Sequence, residues 1–124
     1  MWHFGKDRRR HKRYPVDIPG LLEIEFDGVG LSMPVRVSEI SLGGARLQLA
    51  SLRTGSGHLI ADHPRVLVLK LTLPPGMLLL PVTVRWFRHL PEQGFFLLGI
   101  QFENPSPEDL ELLQQVLRRR CFAR

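Results

Sequence analysis

"LLEIEFDGVGLSMPVRVSEISLGGARLQLA", residues 21 to 50, decides the fold. Leu22, Ile24 and Phe26 alternate with Glu23, Glu25 and Asp27, the period of two expected of a strand with one face buried. "GVG" at 28–30 turns the chain, and the alternation resumes in "MPVRVSEI" and "ARLQLA", with Val35 and Val37, then Leu47 and Leu49, as inward candidates. "SLGG" at 41–44 lies between these two runs as a tight turn.

The same grammar continues outward from this stretch. "RVLVLKLTL" and "LPVTVRWFRHL" are aliphatic and β-branched runs separated by Pro74-Pro75-Gly76, which predicts a hairpin, and "EQG" then leads into "FFLLGIQFE" as the last strand. Residues 51–64, rich in Gly, Ser, Asp, His and Pro, read as one long loop holding a short turn. Six strands in succession with turn signals between them predict a mainly β fold, an antiparallel barrel or sandwich. Trp86 and Phe102, aromatics in alternating strands, are expected in its core.

The period changes at the end. Ser106 is placed as an N-cap, Pro107 at the first helical position and Glu108 and Asp109 in the first turn, where carboxylates suit the helix dipole. Leu110, Leu113, Val116 and Leu117 recur at helical spacing, predicting an amphipathic C-terminal helix packed on the barrel. With 124 residues, the chain suits a single domain: a basic arm over 1–20, then a barrel with its helix over 21–124.

A hydrophobic share of 44% and a charged share of 23% are those of a soluble globular protein. The longest apolar stretch, "GMLLLPVTV", is well short of the ~20 residues that span a bilayer, so no membrane insertion is expected. "MWHFGKDRRR" lacks the apolar segment of a secretory signal, and the lone Cys121 cannot form an internal disulfide; both point to the cytoplasm. The net charge of +5 is uneven: residues 1–20 carry +4 and 118–124 another +4, leaving −3 for the rest. Basicity confined to the two ends favours a local anionic ligand over a duplex spread across one face.

Catalytic chemistry finds little support. His58 and His63 flank Asp62 without a third ligand group, so no metal site is expected and both histidines read as exposed loop residues. Cys121 has no histidine nearby in sequence to serve as base, and neither G-x-x-x-x-G-K nor G-x-G-x-x-G occurs. No catalytic residue is therefore assigned, and the chain is expected not to be an enzyme.

Two features stand out. "RRRHKR" at 8–13 contains Arg9-x-x-x-Arg13 immediately ahead of the strands, and Glu39-Ile40-Ser41-Leu42-Gly43-Gly44 places a carboxylate, a hydroxyl and two glycines at a turn. Arginine offers a planar fork to phosphate oxygens or to guanine O6 and N7, and it can stack on a base. A carboxylate can accept from guanine N1–H and N2–H₂, while Gly43 and Gly44 allow positive φ and close backbone approach and the Ser41 hydroxyl serves within the turn. Together they could recognise a guanine nucleotide without hydrolysing it.

On these residues the chain resembles the PilZ domains, bacterial receptors for the second messenger cyclic di-GMP. Arg9 and Arg13 match the family's R-x-x-x-R, and Ser41 and Gly44 match its [D/N]-x-S-x-x-G, with Glu39 standing where Asp or Asn is usual. "VRW" at 84–86, "GIQF" at 99–102 and the terminal helix extend the likeness over about 7–121. The resemblance implies a six-stranded antiparallel β-barrel whose arm folds over cyclic di-GMP, the arginines contacting phosphates and guanine edges and the second motif gripping a guanine.

Implied site residues are Arg9, Arg13, Glu39, Ser41, Gly43 and Gly44, with Arg8 and Arg10 available to stack on a second nucleotide. Cyclic di-GMP is the implied ligand, with no cofactor, no specific nucleic acid, and a downstream protein partner that reads the ordered arm. The alternative implied by Glu39 is a PilZ-like module with weak or no nucleotide binding that works through protein contacts.

Overall fold

The computed structural model describes residues 11–55 and 57–119. β1 (Tyr14–Phe26), β2 (Val29–Ile40), β3 (Gly44–Leu49), β6 (Val66–Leu73), β7 (Gly76–Leu90) and β8 (Phe95–Phe102) form the barrel, and the short β4 (Arg53–Thr54) and β5 (Gly57–His58) form a separate hairpin inside the expected loop. The barrel order is β1-β2-β3-β8-β7-β6, closed by antiparallel pairing of β1 with β6. α1 (Pro107–Arg119) follows and packs against β7.

The alternation read from the sequence is the alternation that fills the barrel. Leu22, Val37, Leu47, Leu69, Leu71, Leu78, Leu80 and Leu98 are all fully buried, and Phe102 is buried with them. Each such aliphatic side chain contributes about 1.5–3 kcal/mol of transfer free energy. Leu113, Val116 and Leu117 close one end of this core from the helix, with Leu110 half-buried beside them. Ser106 caps the helix as expected, its Oγ accepting from the Asp109 amide at 3.1 Å and donating to Asp109 Oδ2 at 3.0 Å.

Four details depart from the sequence reading. β1 begins at Tyr14, so Tyr14 to Gly20 of the expected arm already pair with β2. The first hairpin turns at Asp27-Gly28 and not at "GVG": both residues have positive φ, 48° and 82°, as a two-residue type I′ turn requires, and Val29 already pairs with Phe26. His58 is half-buried and employed, its Nδ1 accepting from the Ile60 and Ala61 amides at 3.1 Å each. Trp86 is 44% exposed and not a core residue.

The cause of the last departure is a β-bulge. Pairing of β7 with β8 shifts register between Val84 and Trp86, so Arg85 is an extra residue and the parity of the strand reverses beyond it. Trp86 therefore lies outside, across Gly99, where a Cβ on Gly99 would run into its indole.

Candidate functional site

The connection from β2 to β3 is built by Ser41. Its amide donates to the Gly44 carbonyl at 2.9 Å, and its Oγ accepts from the Gly43 and Gly44 amides at 3.1 and 3.2 Å. Among the described residues Ser41 is the one buried polar residue, 8% exposed, and its hydroxyl is used to shape the turn. The turn is then tied to β8, because the Phe102 amide donates to the Gly43 carbonyl at 2.9 Å.

The two glycines are explained by space. Neither Gly43 nor Gly44 has positive φ, which corrects that part of the sequence reading. A Cβ on Gly44 would meet the Ile100 carbonyl oxygen, so glycine is what lets β3 start this close to β8. A Cβ on Gly43 would lie 2.9 Å from Cδ2 of His11, which places the imidazole of the approach to β1 against the turn.

Arg13 and Glu39 meet at this corner. Arg13 Nη1 donates to Glu39 Oε1 at 3.3 Å, with side chains 44% and 23% exposed. The pairing follows from register, since Tyr14 lies opposite Ile40 and Pro15 opposite Glu39. Lys12 is next to it, its Nζ 5.4 Å from the Tyr14 ring centroid. Along the same two strands Asp17 accepts from Arg36 Nε, which holds the Asp17 carboxyl below the ordinary carboxylate range and raises the Arg36 guanidinium.

The structure thus brings Arg13, Glu39, Ser41, Gly43 and Gly44 together; Arg8, Arg9 and Arg10 lie outside the described residues, as do Arg120 and Cys121. It also adds residues that sequence reasoning passed over. Glu39 lies opposite Arg46, Arg46 opposite Gly99, and Gly99 opposite Trp86, so one outer row crosses four strands from Glu39 to Trp86. Arg46 is steadied there by Ser38, whose Oγ accepts from its Nε at 3.0 Å. The row offers a carboxylate, one arginine and an exposed indole on one face, with Arg13 paired to its carboxylate end.

That Arg46 belongs to this face was readable, because it is two residues after Gly44 on an alternating strand. Trp86 was hidden by the bulge, and His11 by its place within a run of basic residues that gave no sign of where its ring would rest. Among the described residues, no three His, Cys, Asp or Glu side chains converge on a common point that could hold a metal ion.

A closed antiparallel barrel capped by one C-terminal helix, with a basic approach to its first strand and a serine-glycine turn beside it, defines the class. The family model for the PilZ domain matches residues 7–119, and the chain belongs to that family. No curated protein matches it.

Among solved structures, the PilZ domain of YcgR from Escherichia coli with c-di-GMP matches at a TM-score of 0.60 and 17% identity, over 91% of either chain. The inhibitor of motility MotI/DgrA of Bacillus subtilis matches at 0.65 and 21%, over 93% of this chain and 52% of that one. The K. pneumonia MrkH–c-di-GMP complex matches at 0.63 and 19%, over 92% and 52%. These likenesses show the fold, and the chain spans about half the length of the latter two. No helix among the described residues is long and apolar enough to cross a membrane.

Proposed function

We propose that this PilZ domain is a receptor for cyclic di-GMP, that it binds the nucleotide at the corner formed by Arg13, Glu39 and the Ser41–Gly44 turn, and that it does not hydrolyse it. The observation that carries the reading is the 3.3 Å contact between Arg13 and Glu39, which brings the two sequence motifs, 26 residues apart, to one place. Family membership and the solved PilZ structures with c-di-GMP support the choice of ligand.

In this reading Arg13, with Arg8, Arg9 and Arg10 of the approach, contacts phosphates and guanine edges through paired N–H donors. Glu39 accepts from a guanine, which requires Arg13 to release or share its carboxylate. Ser41 and the glycines act by holding the turn flat and close to β8, so that a planar base can lie against the backbone. Arg46 lines the approach, and Trp86 offers a stacking plane at the far end of the row.

The Asp-to-Glu difference at position 39 lengthens the side chain by one C–C bond, about 1.5 Å. At its present length the side chain reaches Arg13 across the strand pair, Oε1 lying 3.3 Å from Nη1. A bound nucleotide changes the position of the approach to β1, and a protein partner reads the changed surface.

Isothermal calorimetry with cyclic di-GMP, GTP, cyclic AMP and a short DNA duplex tests the reading. Saturable heat with cyclic di-GMP alone is expected. Absence of heat with all four would leave a module acting through protein contacts, and equal heat with DNA would make the basic ends a nucleic-acid grip. Chromatography of the recovered ligand should show intact cyclic di-GMP and no linear dinucleotide.

A further inference from the structure

At the end of β3 away from the Ser41 turn, residues 51–55 and 57–62 lie beside the β7–β8 tip and leave an open cleft of about 470 Å³ lined by Leu52, Ile60, Ala61, Phe87 and Phe96, with Ser51, Arg53 and His58 at its polar edge. We infer that this cleft is a docking site for an acidic segment of a partner protein that inserts one large apolar side chain and presents a neighbouring carboxylate to Arg53 and His58.

The bulge at Arg85 makes the cleft. Because parity reverses there, Phe87 lies opposite Leu98 on the inward-facing side of strands that extend past the barrel, and its ring is 49% exposed. Phe96 stands beside it, stacked on His89 with ring centroids 4.2 Å apart. Leu52 and Leu59 are buried and anchor the opposite wall to the core. An exposed phenylalanine held in a walled apolar recess is where a ligand's aliphatic or aromatic side chain gains most from leaving water.

The polar edge decides the sign of the occupant. His58 Nδ1 accepts two amides at 3.1 Å, so the ring carries its hydrogen on Nε2, a donor. Arg53 is exposed and brings up to five more donors. No carboxylate lines the cleft, and the single carboxylate of this loop, Asp62, has Oδ2 engaged by the His58 amide at 2.7 Å. Arg85 and Arg88, both exposed, lie on the outer face of the same strand and do not line the cleft. A guanidinium and an imidazole donor with no carboxylate beside them fit an anionic partner segment and disfavour a basic one.

Position adds to the argument. β3 runs from Gly44, opposite Gln101, to Leu49, opposite Phe96, so the cleft lies one strand length, roughly 17 Å, from the Ser41 turn. A partner seated there leaves the corner of Arg13 and Glu39 open, and the inference does not depend on what binds at that corner.

The test uses ¹⁵N-labelled full chain and a capped hexapeptide with a central leucine-phenylalanine pair flanked by aspartate and glutamate. The result expected is saturable shift change centred on Ser51 to Asp62, Phe87 and Phe96, weakened at least tenfold in both Arg53→Glu and Phe87→Ala, and absent for the same peptide with lysines. Both variants alter exposed side chains, and their unperturbed spectra verify folding. Equal response to the lysine peptide, changes centred on Arg13 and Glu39, or no change at millimolar peptide would overturn the inference. Tighter binding of free N-acetylphenylalanine than of the peptide would overturn it in favour of a small-molecule pocket, and a dimer abolished by Phe87→Ala in favour of a second copy.

Discussion

Arg13 and Glu39, the last residue before β1 and the penultimate residue of β2, are joined by an ion pair of 3.3 Å at the corner where the basic approach meets the barrel. Both groups are partly exposed, so the pair itself is worth little to folding. Its importance is positional: it holds one cation at the mouth of the Ser41 turn.

Removing that cation is expected to affect binding far more than stability. Arg13→Ala should weaken cyclic di-GMP binding by about 1.5–3 kcal/mol, roughly tenfold to a hundredfold, the range of a hydrogen bond to a charged group. The thermal midpoint should stay near that of the parent. Calorimetric affinities that coincide for the two proteins would remove Arg13 from the site.

Glu39 has a different signature. Glu39→Asp keeps the carboxylate and should change affinity by less than about tenfold, roughly 1.4 kcal/mol, whereas Glu39→Ala should lose considerably more. If the parent shows no binding and Glu39→Asp binds tightly, the longer side chain is itself the block. Titrations of the three proteins at one salt concentration decide this.

The glycines separate by what surrounds them. In Gly44→Ala the new methyl meets the Ile100 carbonyl oxygen, a backbone atom that can move only if β3 and β8 part, and the expected cost is about 1–3 kcal/mol. In Gly43→Ala it meets the ring of exposed His11, which can swing away, and the expected cost is under about 0.5 kcal/mol. Urea denaturation of the two variants should show this order, and the reverse order would refute the spatial account.

Trp86 should report the ligand. Its indole lies outside the core on the row that begins at Glu39, so Trp86→Ala is expected to leave folding largely intact. If a guanine stacks on it, the substitution should weaken binding by about 1–3 kcal/mol, the worth of one base–aromatic contact, and remove any fluorescence quenching by cyclic di-GMP. Unchanged affinity would confine the site to the Arg13 corner.

Asp17 sets a pH dependence of known sign. Its carboxyl is held low in the folded chain, first by the hydrogen bond from Arg36, so its contribution is present above the ordinary carboxylate range and lost as pH falls through the folded value. The stability difference between parent and Asp17→Asn should therefore be largest near neutrality and vanish in acid. Because the pair is exposed, the difference should be small and should shrink further in salt.

Most of the fold was legible because a barrel this narrow needs alternation, and Leu22, Val37, Leu47 and Leu98 supply it without ambiguity. The Arg13, Glu39, Ser41 and Gly44 corner was legible through residue chemistry and order along the chain. What escaped was parity and reach. Tyr14 to Gly20, with two prolines and a bulge between Pro15 and Ile18, shows no clean period of two, so the start of β1 looked like arm. His58 looked idle because its two amide partners lie within its own turn, where spacing carries no signal.

Arg85 behaves as a half-period phase shift written into β7. Deleting it would remove one exposed cation and leave Val84, Trp86 and Phe87 opposite Ile100, Gly99 and Leu98 on the faces they already hold. In a regular strand that kept Arg85 opposite Gly99, however, Trp86 would turn into the barrel and Phe87 out to solvent. Trp86 would leave the outer row and Phe87 the cleft at a stroke. One surplus residue thus keeps two surfaces of this domain in step, and the chain should tolerate loss of Arg85 itself far better than loss of a paired residue of the same strand such as Thr83 or Arg88, which would put one side of the break on the wrong face.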